Sequence, residues 1–200
     1  MNITIRECER VMPEELTWPE RMVHERVSVQ FTVDRGVTHE IVRMRDCSFG
    51  QESTRYCNYS SGKFGNEITV IKPCFWEEDS EAYKSWLRGC QLAQNEYLFM
   101  TKGLNVPPQE ARDVLPQSVK ADIVVTTNLQ EWRHIFELRA CDVTGPAHPQ
   151  MKEVMVPLLI NDMRPRYQYA FGDLFTKEEE SPVLSQIEDA ASQVEIKYRS

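Results

Sequence analysis

Two hundred residues, 41% apolar and 27% charged, describe an ordinary folding chain with enough length for one core and a helical extension. No apolar run approaches the roughly 20 residues of a membrane span, which excludes a transmembrane role. The net charge of −8 argues against binding to a nucleic-acid polymer, whose phosphates need a positive field, and leaves open a small anionic ligand wherever arginines cluster.

The opening MNITIRECERVMPEE is charged from Arg6 onward and holds no apolar stretch for a secretory signal, so a cytoplasmic protein is expected. Residues 23–33 alternate, with Val27, Val29, Phe31 and Val33 on one face, the period of a half-buried strand. Asp34-Arg35-Gly36 breaks that pattern, and 37–46 reads as a short helix. Residues 47–66, rich in Ser, Gly, Asn and Tyr, read as a long polar loop of the kind that carries function. A second strand is expected over 67–72. A helix fits 77–102, with Trp86, Leu87, Cys90, Ala93, Tyr97 and Leu98 near helical spacing and Gly103 as its stop. Pro107-Pro108 open a short helix over 109–114, and 118–127 is a third strand. Asn128, with Glu131 three residues on, starts a helix that runs to Arg139. His148 to Asp162 reads as another helix, and the acidic, then amphipathic stretch 176–200 as a weakly packed terminal one. With no repeat and no low-complexity linker, residues 1–200 read as a single domain.

The six cysteines (Cys8, Cys47, Cys57, Cys74, Cys90, Cys141) are scattered, with no C-x-x-C, so free thiols are expected. His39-Glu40 lacks the second histidine of H-E-x-x-H because Arg43 stands there, and no metal site is expected.

Three groups of residues carry possible chemistry. Arg43, Arg45 and Arg55 are interleaved with Ser48, Ser53, Thr54 and Tyr56. Guanidinium forks bind phosphate oxygens in pairs, and hydroxyls complete such a cradle. A solvated basic patch balanced by surface carboxylates fits the same spacing. In the helix 128–139, Leu129, Trp132, Ile135 and Phe136 form an apolar stripe, and Arg139 falls on it seven residues after Trp132. A cation there must be paired, face a pocket, or cap the helix C-terminus. His134, His148 and Gln150 form the third group, for which packing is the commoner role.

These residues resemble a known family. Arg43-Met44-Arg45, followed by seven residues, Ser53, and then Arg55-Tyr56, is similar to the R-H-R signature of the flavin-dependent thymidylate synthases. Upstream DRGVTHEIVR, and downstream RYCNYSSGKFGNEITVI, NLQEWRHIFELR and AHPQM, match that family in order, over roughly residues 20 to 160. The resemblance implies an α+β domain with a central mixed or antiparallel sheet and flanking helices, assembled as a homotetramer with active sites at subunit interfaces. It implies FAD as cofactor, NADPH as reductant, methylenetetrahydrofolate as carbon donor and dUMP as substrate, in the reductive methylation of dUMP to dTMP.

Carried over residue by residue, the resemblance places Glu40, Arg43, Gln51, Ser53, Thr54, Arg55, Arg112 and Arg139 against dUMP. It assigns Arg43, Met44, Arg45, Gln51, Asn128, Gln130 and His134 to the flavin. Arg139 is then the catalytic residue, binding the uracil ring and favouring its ionised form. Met44 departs from the family, whose middle residue is histidine. A thioether gives no N–H donor, and one lost hydrogen bond is worth about 0.5–1.5 kcal/mol. The alternative is therefore a flavin- and nucleotide-binding homologue impaired by Met44, and restoring histidine is expected to tighten FAD or raise turnover. A blander reading is an acidic α+β scaffold whose arginines only balance carboxylates.

Overall fold

A computed structural model of the chain describes residues 2–6, 16–61, 65 and 67–175. The terminal helix expected over 176–200 and Cys8 lie outside the described residues.

Strand β1 (Asn2–Arg6) is followed by helix α1 (Trp18–His24), strand β2 (Arg26–Asp34), helix α2 (Arg35–Ile41) and strand β3 (Ser48–Gln51). Helix α3 (Glu81–Leu98) runs on into a π-helical turn, Phe99–Gly103, and short helix α4 (Pro108–Ala111) precedes strand β4 (Lys120–Asn128). Helices α5 (Leu129–Arg139) and α6 (Pro149–Pro157) come next, then a π-helical turn, Leu158–Met163, and the short α7 (Arg164–Arg166) and α8 (Gln168–Phe171). The four strands form one sheet in the order β1-β2-β4-β3, with every pairing antiparallel. The α+β class read from the sequence holds, and the sheet is antiparallel rather than mixed.

The sheet works through its alternation. Val27, Val29, Phe31 and Val33 of β2 and Ala121, Ile123 and Val125 of β4 are buried on one face. Each inward strand residue faces the helix layer because successive side chains point to opposite sides. Leu129, Trp132, Ile135 and Phe136 of α5 cover that face, as the helical spacing predicts. Burying each such side chain contributes roughly 1.5–3 kcal/mol. The Trp132 indole N–H donates to the Val27 carbonyl at 3.1 Å, and its ring lies 6.4 Å from Phe31 and stacks on Phe136 at 5.7 Å. That bond fixes the rotation of α5, and with it the direction of Arg139.

Two segments differ from the sequence reading. Residues 48–51, expected as loop, pair with Thr126, Val125, Val124 and Ile123 of β4. An edge strand needs only one neighbour and one half-buried face, so SFGQ carries no apolar run to betray it. Residues 67–72, expected as a strand, make only the Val70–Val119 bridge, with Lys120 donating to Thr69 and Ile71 to Ser118. Pro73, lacking an N–H, ends the pairing. The strand read from residue 23 begins inside the last two residues of α1, and the sequence reading assigns no element to β1, the rest of α1, α7 or α8.

Cys47, Cys57, Cys74, Cys90 and Cys141 are free, as expected. Burial pushes the Cys47 and Cys57 thiols up to about 11 and Cys74 up to about 12; at Cys57 the hydrogen bond to Glu52 adds to the rise. An unfolded thiol titrates near 8.5, so the stabilisation these groups confer is complete below that pH and falls as pH rises toward about 11. Iodoacetamide at pH 8 is expected to label these cysteines slowly in the folded protein and fast in urea, and the urea midpoint to be lower at pH 10 than at pH 8. Equal labelling rates in the two states would contradict this.

Candidate active site

Helix α2 is the centre of the arrangement. Asp34 ends β2 and caps α2, its Oδ1 accepting from the Val37 N–H at 2.8 Å. The sequence signal for this cap is an acidic residue just before the helix, at the position where the strand pattern breaks. One turn along, buried Thr38 donates to the Arg35 carbonyl at 3.0 Å and accepts from the Gln51 amide at 2.9 Å. A further half-turn on, a Glu40 carboxylate oxygen stands 3.5 Å from Nη1 of Arg139. One seven-residue helix thus holds Gln51 from β3 and Arg139 from α5, two residues singled out by the sequence.

Arg139 meets the first two of the three alternatives set by its place on the apolar stripe, and it also stands in the last turn of α5. It is paired, with Glu40, and it lines a small apolar crevice, of about 10 Å³, with Ile41, Met44, Val125, Trp132, Ile135, Met151 and Met155. Its Nε is buried and without a hydrogen-bond partner among the described residues. A buried N–H donor of a cation, left unsatisfied, is a group that a ligand acceptor would satisfy.

The second group lies on the turn after β3. Ser53 accepts from the Arg55 N–H through Oγ and from the Tyr56 and Cys57 N–H groups through its carbonyl. Thr54 is buried, and its hydroxyl lies 3.4 Å from Nη1 of Arg112, so residues 53–55 and Arg112 converge although 58 positions separate Thr54 from Arg112. Arg55 is exposed, its guanidinium carbon 5.4 Å from the ring centre of Tyr56, itself 80% exposed. Glu52 ties this turn to the sheet, receiving Cys57 Sγ at 3.3 Å and facing Nζ of Lys120 at 3.4 Å. Lys120 also pairs with Asp122 at 2.7 Å; burial pushes the Asp122 carboxyl up, but the bonds from Lys120 and Thr32 outweigh it and hold the group below the usual carboxylate range.

The third group is on α5. The Asn128 side-chain oxygen accepts from the Glu131 N–H at 2.8 Å, so it is engaged as the helix cap and its NH2 remains for a ligand. Gln130 and His134 are exposed and four residues apart, on one face of the helix. Arg43 and Arg45 are exposed where the chain leaves α2.

Met44, between them, turns the other way. It is 8% exposed, belongs to the core cluster and lines the same cleft as Arg139. Of the group His134, His148 and Gln150, the last two line one pocket with Asp34 and Glu40, and His134 lies apart from them; Gln150 is buried there and donates to Oδ2 of Asp34 at 2.6 Å. His148 is exposed and meets Phe75 edge to face at 5.6 Å.

The sequence model of the family described as Thy1, thymidylate synthase complementing protein, matches residues 19–161. The flavin-dependent thymidylate synthase of Pyrococcus furiosus is 30% identical over 177 residues, covering 84% of this chain and 70% of that protein. Its counterpart from Pyrococcus horikoshii is 33% identical over 135 residues, and there the chain spans 54% of the relative's length. Among solved structures, the flavin-dependent thymidylate synthase ThyX of Helicobacter pylori, complexed with FAD and dUMP, superposes with a TM-score of 0.57 at 17% identity, over 78% of this chain and 75% of that one. That likeness speaks for the fold; the sequence matches speak for descent, and by them the chain belongs to the Thy1 family, the flavin-dependent thymidylate synthases.

Proposed function

We propose that this chain catalyses the reductive methylation of dUMP to dTMP, with FAD as cofactor, methylenetetrahydrofolate as carbon donor and NADPH as reductant. The observation that carries the reading is Arg139: a cation at the end of a buried helix stripe, paired to Glu40 from a second element, with an unsatisfied Nε beside an apolar cleft. Such a group suits a planar, polar ring that gains negative charge, because a fixed cation stabilises that charge without reorganising.

Arg139 then binds the uracil ring and favours its ionised form, and Glu40 fixes the guanidinium. Ser53, Thr54, Arg55 and Arg112 hold the dUMP phosphate; the Thr54–Arg112 contact supports this, since a hydroxyl beside a guanidinium is a phosphate-binding pair. Arg43 and Arg45, free to reach outward, suit the FAD diphosphate, with Arg43 bordering the nucleotide as well. The exposed Gln130 and His134, and the NH2 of Asn128, fit the polar edge of the flavin, and Gln51, held by Thr38, lies between flavin and nucleotide. Bound FAD supplies the hydride chemistry that no side chain here provides. The residues bind, orient and exclude water.

A homotetramer with interfacial sites accords with the exposed Leu92, Phe99 and Leu104 along α3 and its π-helical turn, and with Tyr56. No helix among the described residues is long and apolar enough to cross a membrane; we read the protein as cytoplasmic from its free thiols. The relatives lend no support to an impaired homologue. Purified protein is expected to show flavin absorbance and to form dTMP from dUMP with NADPH and the folate. Colourless protein that leaves dUMP unbound would overturn the proposal, and yellow protein without product would favour the impaired reading.

A further inference from the structure

We propose that the buried Asp34–Gln150 hydrogen bond is a positioning pair for the nucleotide site, acting through helix α2; this rests on the reading of Glu40 and Arg139 as the dUMP-binding pair. Seven residues are too few for a helix to hold itself together in water, so the direction of α2 comes from its attachments. Asp34 supplies two of them. One carboxylate oxygen takes the Val37 N–H at 2.8 Å and the other takes the Gln150 amide at 2.6 Å, with Asp34 only 6% and Gln150 7% exposed.

The rest of α6 touches the core through Met151, Val154, Met155 and Val156. Apolar contacts of that kind are non-directional and leave a helix free to slide by a fraction of an ångström. A short hydrogen bond to a buried carboxylate is directional and sets the register of α6 against α2. The lever is long enough to matter. Glu40 lies six residues beyond Asp34, about 9 Å along a helix axis. A tilt of about 10° at the cap would carry Glu40 some 1.5 Å from Arg139, and displacements near 1 Å are worth about a hundredfold in rate. Thr38, between the two, would take Gln51 with it.

The test separates positioning from mere stability. Gln150→Leu keeps the volume and removes the bond; Asp34→Asn keeps the cap and remakes the bond with the Gln150 amide turned over; Asp34→Ala removes both. The dUMP KM is expected to rise at least tenfold in Q150L and D34A, and to stay within about threefold of the parent in D34N. In an E40Q background Q150L is expected to add clearly less than it does alone, because the route through Glu40 is cut and only the one through Thr38 and Gln51 is left. A Q150L protein with a lowered melting temperature but an unchanged KM, or a full Q150L effect in the E40Q background, would overturn the proposal. Should the parent protein fail to bind dUMP, the proposed function falls, and amide hydrogen exchange over residues 38–42 decides the pair on its own. Faster exchange in Q150L than in D34N supports it, and equal exchange overturns it.

Discussion

Replacing Arg139 by Ala is expected to lower kcat/KM for dUMP by about 10²–10³-fold, with the flavin spectrum and the fold retained. A single preorganised donor aimed at developing charge is worth that much when it is removed. Arg139 is such a donor by construction. Its helix is locked by the Trp132–Val27 bond, its guanidinium is held by Glu40, and its Nε has no competing partner among the described residues. Loss of the cation leaves the Glu40 carboxylate without its partner nearby, so the variant's ring site turns from attractive to repulsive for an anionic pyrimidine. The effect on stability is small by comparison, about 0.3–1 kcal/mol for a cation at a helix C-terminus. Arg139→Lys keeps the charge and loses the fork, and its activity is expected between the two. Equilibrium titration with dUMP and steady-state rates check this. Unchanged nucleotide binding in R139A would favour the scaffold reading, in which arginines only balance carboxylates.

Much of this arrangement was legible in the residues, and the exceptions have a common cause. Period-two alternation in 27–33 and the helical stripe 129–136 decide burial by themselves, because each is long enough for one face to dominate. The convergence of Ser53, Thr54 and Arg112 followed from resemblance alone, since nothing local to QEARDVLP points to a turn 58 positions away. Strand β3 and the Val70–Val119 bridge were misjudged because edge pairing is decided by the neighbour and not by the segment. Asp34, Thr38 and Gln150 were missed or misplaced for the same reason: a buried polar side chain is read from its partner, and their partners lie on other elements. A short-range pattern shows which face is apolar. It does not show which polar group meets which.

Met44 is where sequence and structure lead to opposite expectations. Family resemblance alone predicts that histidine at this position tightens FAD. The position of the side chain predicts damage: Met44 is in the core, sharing its cleft with Ile41, Val125, Trp132, Ile135, Met151 and Met155. Met44→His would bury an imidazole whose N–H has no acceptor among those side chains, at about 1–3 kcal/mol for an unsatisfied polar group. The adjacent Arg139 opposes a second positive charge, so the folded-state pKa of the new histidine would lie below its unfolded value of about 6.5. The unfolded chain then binds more protons, and the loss deepens as pH falls below about 6.5. Urea unfolding at pH 7.5 is therefore expected to show M44H less stable than the parent, and at pH 5.5 less stable still. Met44→Leu, a swap of similar volume, is expected within about 1.5 kcal/mol of the parent at both. Flavin per chain, measured on the same samples, should not rise in M44H. A variant as stable as the parent at both pH values, and carrying more flavin, would mean that residue 44 turns outward to the cofactor.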